Sequence, residues 1–195
     1  MEDKLFYIMK RNSFEYFLNA VHYFLWIFDK RFCNICDRIF DKLVSPIGEL
    51  LFTEKQKRKY HERKAKHQKE MDILLYDKEY GIHIGWANHW FGYFYSCYPS
   101  LLSFVLLGIA DKISGGVSMI MATLLFLIPT GLCYIPAYKS VFTQDRYLKY
   151  FKQFEKEDEQ WHRKWKWRTI VFCIGGVISF LMGIFAMWGV GKILN

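Results

Sequence analysis

Three stretches of this 195-residue chain lack any charged side chain: Trp90–Ala110, Ile113–Tyr138 and Thr169–Gly191, of 21, 26 and 23 residues. Crossing a bilayer core takes about 20 apolar residues in a helix, so each stretch is long enough to span. Prolines number four and cysteines five, which excludes a proline-rich linker and a disulfide scaffold. Also missing are a Gly-rich phosphate loop, an H-E-x-x-H helix and a G-x-S-x-G elbow, so no known hydrolase or nucleotide-binding motif is written here. Within the three stretches there is no Asp, Glu, Lys or Arg, whereas ion-coupled transporters mark their pathway with such groups. Together these absences predict an all-α integral membrane protein that is not an enzyme and needs no cofactor. Three transmembrane helices are joined to amphipathic and interfacial cytoplasmic helices.

What charge there is lies outside the apolar stretches, most of it before the first and between the second and third. The net charge is +8. Residues 53–79 hold nine basic and six acidic side chains, and residues 139–168 hold nine and five. Short basic loops stay cytoplasmic. Both blocks lie on one side if the chain crosses three times, with the N-terminus cytoplasmic and the C-terminus outside. The membrane expected is the cell (inner) membrane. Met1-Glu2-Asp3-Lys4 does not open a secretory signal peptide.

The expected organisation follows. Residues 1–89 form a cytoplasmic helical region and 90–138 a transmembrane hairpin. Residues 139–168 form a charged cytoplasmic helix, and 169–195 a third span with a short tail. Within the first region, Asn12 and Glu15 have capping-box spacing, predicting an interfacial helix over about 12–28. Its uncharged part, Tyr16–Phe28, reaches only roughly 20 Å at 1.5 Å per residue. It therefore lies on the membrane or against its neighbours, with a short fourth span as the alternative. Phe32, Cys36, Ile39, Phe40, Leu43 and Val44 mark an amphipathic helix over about 30–44. Ser45-Pro46 should end it and start a basic helix over about 46–80, stopped by Gly81.

In that basic helix, Lys55, Lys57, Arg58, Lys59, Arg63, Lys64, Lys66 and Lys69 face one acid, Glu62. The composition suits a solvated arm drawn to anionic lipid headgroups, at about 1 kcal/mol per basic residue near the surface. Only Tyr60 interrupts the run as a stacking aromatic, which argues against nucleic acid. Trp86, Trp90, Trp161, Trp165 and Trp167 gather at the ends of the apolar stretches, where indole rings favour the headgroup boundary.

Two faces of small residues run at four-residue spacing: Gly92, Ser96 and Ser100 in the first span, and Gly175, Ser179 and Gly183 in the third. Such faces let backbones approach closely in lipid, within one chain or between copies. Two of them in a three-span protein favour a homo-oligomer. Cys33-Asn34-Ile35-Cys36, followed by His61 and His67, has spacing that a zinc site allows. A Cys pair at i and i+3 of an amphipathic helix also packs as two small apolar residues, and no metal is expected. His83 and His89 flank Trp86 and read as polar tips at the interface.

Three functions follow. The first is an oligomeric channel or membrane-perturbing assembly, similar in shape alone to small membrane effectors of phage defence. The second is an anchor that recruits a soluble cytoplasmic protein through its cytoplasmic helices. The third is a metal-dependent membrane enzyme built on the Cys and His set.

Overall fold

The computed structural model describes residues 13–51, 56, 58–59, 62–63 and 74–193, with the side chains of all of these except 41, 44–51 and 191–193. Asn12, Lys55, Lys57, His61, Lys64, Lys66, His67 and Lys69 fall outside the described residues. The described elements are all helical. Helix α1 is Ser13–Leu51, α2 is Ile82–Ser114, α3 is Met119–Val141, α4 is Arg146–Phe154 and α5 is Glu159–Ile193. A 3₁₀ turn, Thr143–Asp145, joins α3 to α4. Three helical stretches, beginning at Ile82, Met119 and Glu159, are long and apolar enough to cross a membrane.

The first and second of these stretches differ from expectation at their ends. Helix α2 starts at Ile82 rather than Trp90 and includes Asp111 and Lys112. The connection is correspondingly tighter: Gly115 and Gly116 take φ of +66° and +137°, and Ser118 caps α3 by accepting from the Met121 amide at 3.3 Å. Only glycine adopts two such angles in succession without steric cost.

The chain divides into two compact units, one of Met1–Phe24 and His89–Asn195, the other of Leu25–Asn88. In the first unit, α2 and α5 run parallel and meet through glycine. A Cβ on Gly176 would lie 2.8 Å from the Phe94 carbonyl oxygen. On Gly183 it would lie 3.1 Å from Leu101 Cα, and on Gly108 2.9 Å from the Met187 carbonyl oxygen. Gly175 faces the Tyr98 hydroxyl, and Gly92 faces the Tyr134 hydroxyl of α3. These close approaches are made inside one chain. Phe94, Leu101 and Gly108 are seven residues apart, the repeat at which two helices keep one seam in register.

Hydroxyl groups of α2 stitch the same unit. Ser103 Oγ donates to the Phe126 carbonyl at 3.0 Å, and Tyr95 to that of Cys133 at 3.3 Å. Phe126 and Cys133 each lie three residues before a proline of α3, Pro129 and Pro136. A proline disturbs the backbone ladder one turn behind it, and in lipid a weakened carbonyl gains from any nearby donor. The prolines themselves do not face protein as a block: Pro129 is half-buried and Pro136 exposed.

The stretch Tyr16–Phe28 was expected on the membrane or against its neighbours, and the part in this unit is packed. Leu18, Asn19, Val21 and His22 are all at most 1% exposed. Tyr16 stands edge-on to Phe154 and Trp165, and Tyr23 to Phe151 at 5.0 Å. Asn19 belongs inside because its amide donates to the Ser140 carbonyl at 3.0 Å, one of the last carbonyls of α3, which no later amide of that helix can reach. Glu15 accepts from Arg146 at 3.2 Å and from the Tyr150 hydroxyl at 3.3 Å.

Three more expectations are corrected. Residues 139–168 are not one helix: Gln144 and Asp145 take left-handed angles and break it, and a second turn precedes α5. Asp158 starts α5 by accepting from the Trp161 amide at 2.7 Å. Trp165 is 6% exposed, and Trp161 stacks on Phe154 and donates its indole N–H to Tyr16. These two indoles therefore serve the protein interior, while Trp86, Trp90 and Trp167 are exposed. Finally, Ser45-Pro46 does not end a helix, for α1 continues to Leu51. A proline removes a single amide donor, so a helix can run on through it.

Candidate functional site

The second unit, Leu25–Asn88, brings together side chains of unlike chemistry. Asp29 and Cys33 sit one turn apart on α1, so they share a face. His83 arrives from the second residue of α2. The chain reaches it through a tight turn after the helical residues 74–76. Asp77 Oδ1 accepts from the amides of Glu79 and Tyr80, both at 2.7 Å, and these bonds hold its carboxyl below the usual carboxylate range. The Gly81 amide then donates to the Asp77 carbonyl at 3.1 Å. A Cβ at Gly81 would lie 2.2 Å from that same oxygen, so the turn closes only around glycine. The described helical residues before the turn end at Tyr76 rather than at Tyr80, and Gly81 closes the turn that delivers His83.

His83 was expected as a polar tip at the interface. Instead it is 2% exposed, and its Nδ1 lies 2.6 Å from Asp29 Oδ2. Tyr76 stacks on the imidazole with ring centres 5.0 Å apart, and its hydroxyl donates to Asn34 Oδ1 at 2.6 Å. Lys30 lies 4.7 Å above the Tyr76 ring and 5.5 Å from the Trp26 ring. The imidazole is therefore fixed in plane by one ring and in rotation by one carboxylate. Its Nε2 is buried and has no hydrogen-bond partner among the described residues.

Cys33 Sγ, an Asp29 oxygen and a ring nitrogen of His83 all lie within 4.8 Å of one another. Burial, followed by the nearby Asp29 and Asp37 carboxylates, pushes the Cys33 thiol up. A thiol that resists ionisation is a poor nucleophile, so cysteine catalysis is not what the surroundings favour. Cys36, the expected partner of Cys33, is exposed and is not among these three residues. All five cysteines are free.

A second feature of this unit is an unpartnered apolar stripe. Phe32, Ile35, Ile39, Phe40 and Leu43 are between 54% and 67% exposed. Their spacing of three, four, one and three residues keeps them on one side of α1. Arg38 and Lys42 border the stripe together with Asp37. Of the basic residues expected at lipid headgroups, Arg58, Lys59 and Arg63 are described, and all are exposed.

No family model, curated protein or solved structure matches the chain. Of the cluster, only Cys33 carries a sequence signal, through its spacing to Cys36. The pairing of Asp29 with His83 was missed, because 54 residues separate the pair and no short motif connects them.

Proposed function

We propose that the chain is a multi-pass membrane anchor whose arm, the part of α1 after residue 31, recruits a soluble helical protein. The observation that carries this reading is the exposed stripe from Phe32 to Leu43. Large contiguous apolar surface outside the candidate spans is costly in water and marks a contact site. The charges beside it carry both signs, as at helix–helix interfaces where flanking ion pairs select the partner. A stripe meant for anionic lipid would be bordered by cations alone. The basic run after it, with Arg58, Lys59 and Arg63 exposed, is the part suited to headgroups. In this reading the N-terminus and both basic blocks are cytoplasmic, Asn195 is outside, and the membrane is the cell membrane.

The anchor is preferred to the oligomeric channel because, of the glycines that suggested self-association, Gly175 and Gly183 of α5 pack against α2, and Gly92 of α2 packs against Tyr134 of α3, within the chain. A photoreactive residue at Ile39 of the full-length protein in cells tests the reading. The expected product is a discrete adduct with one soluble protein, abolished by Leu43→Asp while membrane insertion persists. Adducts with lipid alone, or with a second copy of the chain, would overturn it. A reporter fused after Asn195 tests the orientation, and activity inside the cytoplasm would contradict it.

A further inference from the structure

We propose that Asp29, Cys33 and His83 form a binding site for a divalent zinc-like ion. The three side chains supply oxygen, sulfur and nitrogen, a donor set that zinc accepts and that magnesium and calcium do not. They come from two helices and already lie within 4.8 Å of one another. Zinc bonds of about 2.0–2.3 Å place ligands in a tetrahedron about 3.3–3.8 Å apart, so the set needs adjustments of only about 1 Å. The 2.6 Å contact between His83 and Asp29 opens, and the thiol moves in.

Charge balance supports the same ion. A carboxylate and a thiolate together carry two negative charges, which a divalent cation cancels. Binding the ion releases the Cys33 proton to water, and the sulfur becomes the ligand. Without a cation, the mostly buried carboxylate of Asp29, with 12% of its side chain exposed, faces an imidazole and a thiol. The imidazole is also held in plane by the stacked Tyr76 ring, so it is fixed before any ion arrives. Three protein ligands leave a fourth position for water, the arrangement of an open rather than a closed zinc site.

The test uses the full-length protein in mild detergent, stripped with a chelator and then given zinc. Alkylation of Cys33 and Cys36 is followed separately by peptide mass spectrometry. One equivalent of zinc should stay with the protein through gel filtration and slow Cys33 alkylation by at least about tenfold, leaving Cys36 unaffected. His83→Gln and Asp29→Asn should abolish that protection, and Cys36→Ser should preserve it. Because the decisive comparison is wild type with and without zinc, a variant that fails to fold does not obscure it. Equal Cys33 alkylation with and without zinc would overturn the proposal. So would equal protection of Cys33 and Cys36, which would place the ion on the Cys-x-x-Cys pair instead.

Discussion

Where α2 meets α5 and α3, neighbours meet at the backbone, with glycine at Gly108, Gly176 and Gly183 and hydroxyl donors at Tyr95 and Ser103. In the unit of Leu25–Asn88, the described contacts run through side chains: an imidazole on a carboxylate, a tyrosine on the imidazole, and a lysine over two rings. In the proposed reading the contrast reflects two solvents. Lipid offers no hydrophobic drive between helices, so attraction must come from close contact and satisfied carbonyls. In water, polar side chains can be spent on specific geometry, provided that buried ones are paired. The first unit should therefore break on added volume, and the second on lost geometry.

The largest effect is expected where a large side chain replaces a glycine packed against a neighbouring helix backbone. Gly108→Leu forces a branched side chain against the Met187 backbone and should cost about 3 kcal/mol. Gly189→Leu, on the helix that Gly108 meets but with nothing within 4 Å, should stay within about 0.5 kcal/mol of wild type. Thermal unfolding in one detergent compares them, and equal losses would remove the distinction. Gly81→Ala should come next, at about 2 kcal/mol, since its methyl group meets the Asp77 carbonyl. Its damage should stay in Leu25–Asn88: hydrogen exchange should rise around Tyr76–His83 and remain unchanged across α3.

Smaller effects sharpen the contrast. Ser103→Ala removes a donor to the Phe126 carbonyl and a hydroxyl contact with Thr130, and should cost about 0.6 kcal/mol. A loss of several kcal/mol would mean that hydroxyls, rather than glycine contacts, hold α2 to α3. The smallest effect concerns Asp77. Its pKa is depressed in the folded state, so its contribution is present above the ordinary carboxylate value of about 3.9 and is lost as pH falls through the lower folded value. Wild type should lose this increment as the pH falls below the ordinary carboxylate value, and Asp77→Asn should not, as thermal unfolding at falling pH would show.

Much of the first unit was legible because its signals are local. Uninterrupted apolar runs announced three long helices, and glycine at four-residue spacing announced close approach, although the seam also uses Gly108 and Gly176, which no spacing rule singled out. What was lost depended on partners far along the chain. Asn19 is a polar residue in an apolar stretch, and its partner, the Ser140 carbonyl, comes from the end of α3. Trp161 and Trp165 looked like headgroup residues because flanking lysines and arginines give that pattern, yet aromatic side chains from α1 and α4 claim them. Gln144 and Asp145 carry no turn signature, because left-handed angles at non-glycine residues are imposed by the packing on either side. The cluster at His83 was the least legible: an Asp and a Cys one turn apart are commonplace, and only the turn at Gly81 gives them a third member.

Glycine packs α2 against α5 within one chain, and the proposed partner surface is the α1 arm. The most direct measurement is the mass of the detergent-extracted protein, wild type beside Gly183→Leu, by native mass spectrometry. Intrachain packing predicts the mass of a single 23.5 kDa chain for both, with the variant much less stable to heat. A wild-type assembly of several chains that Gly183→Leu converts to stable single chains would contradict it.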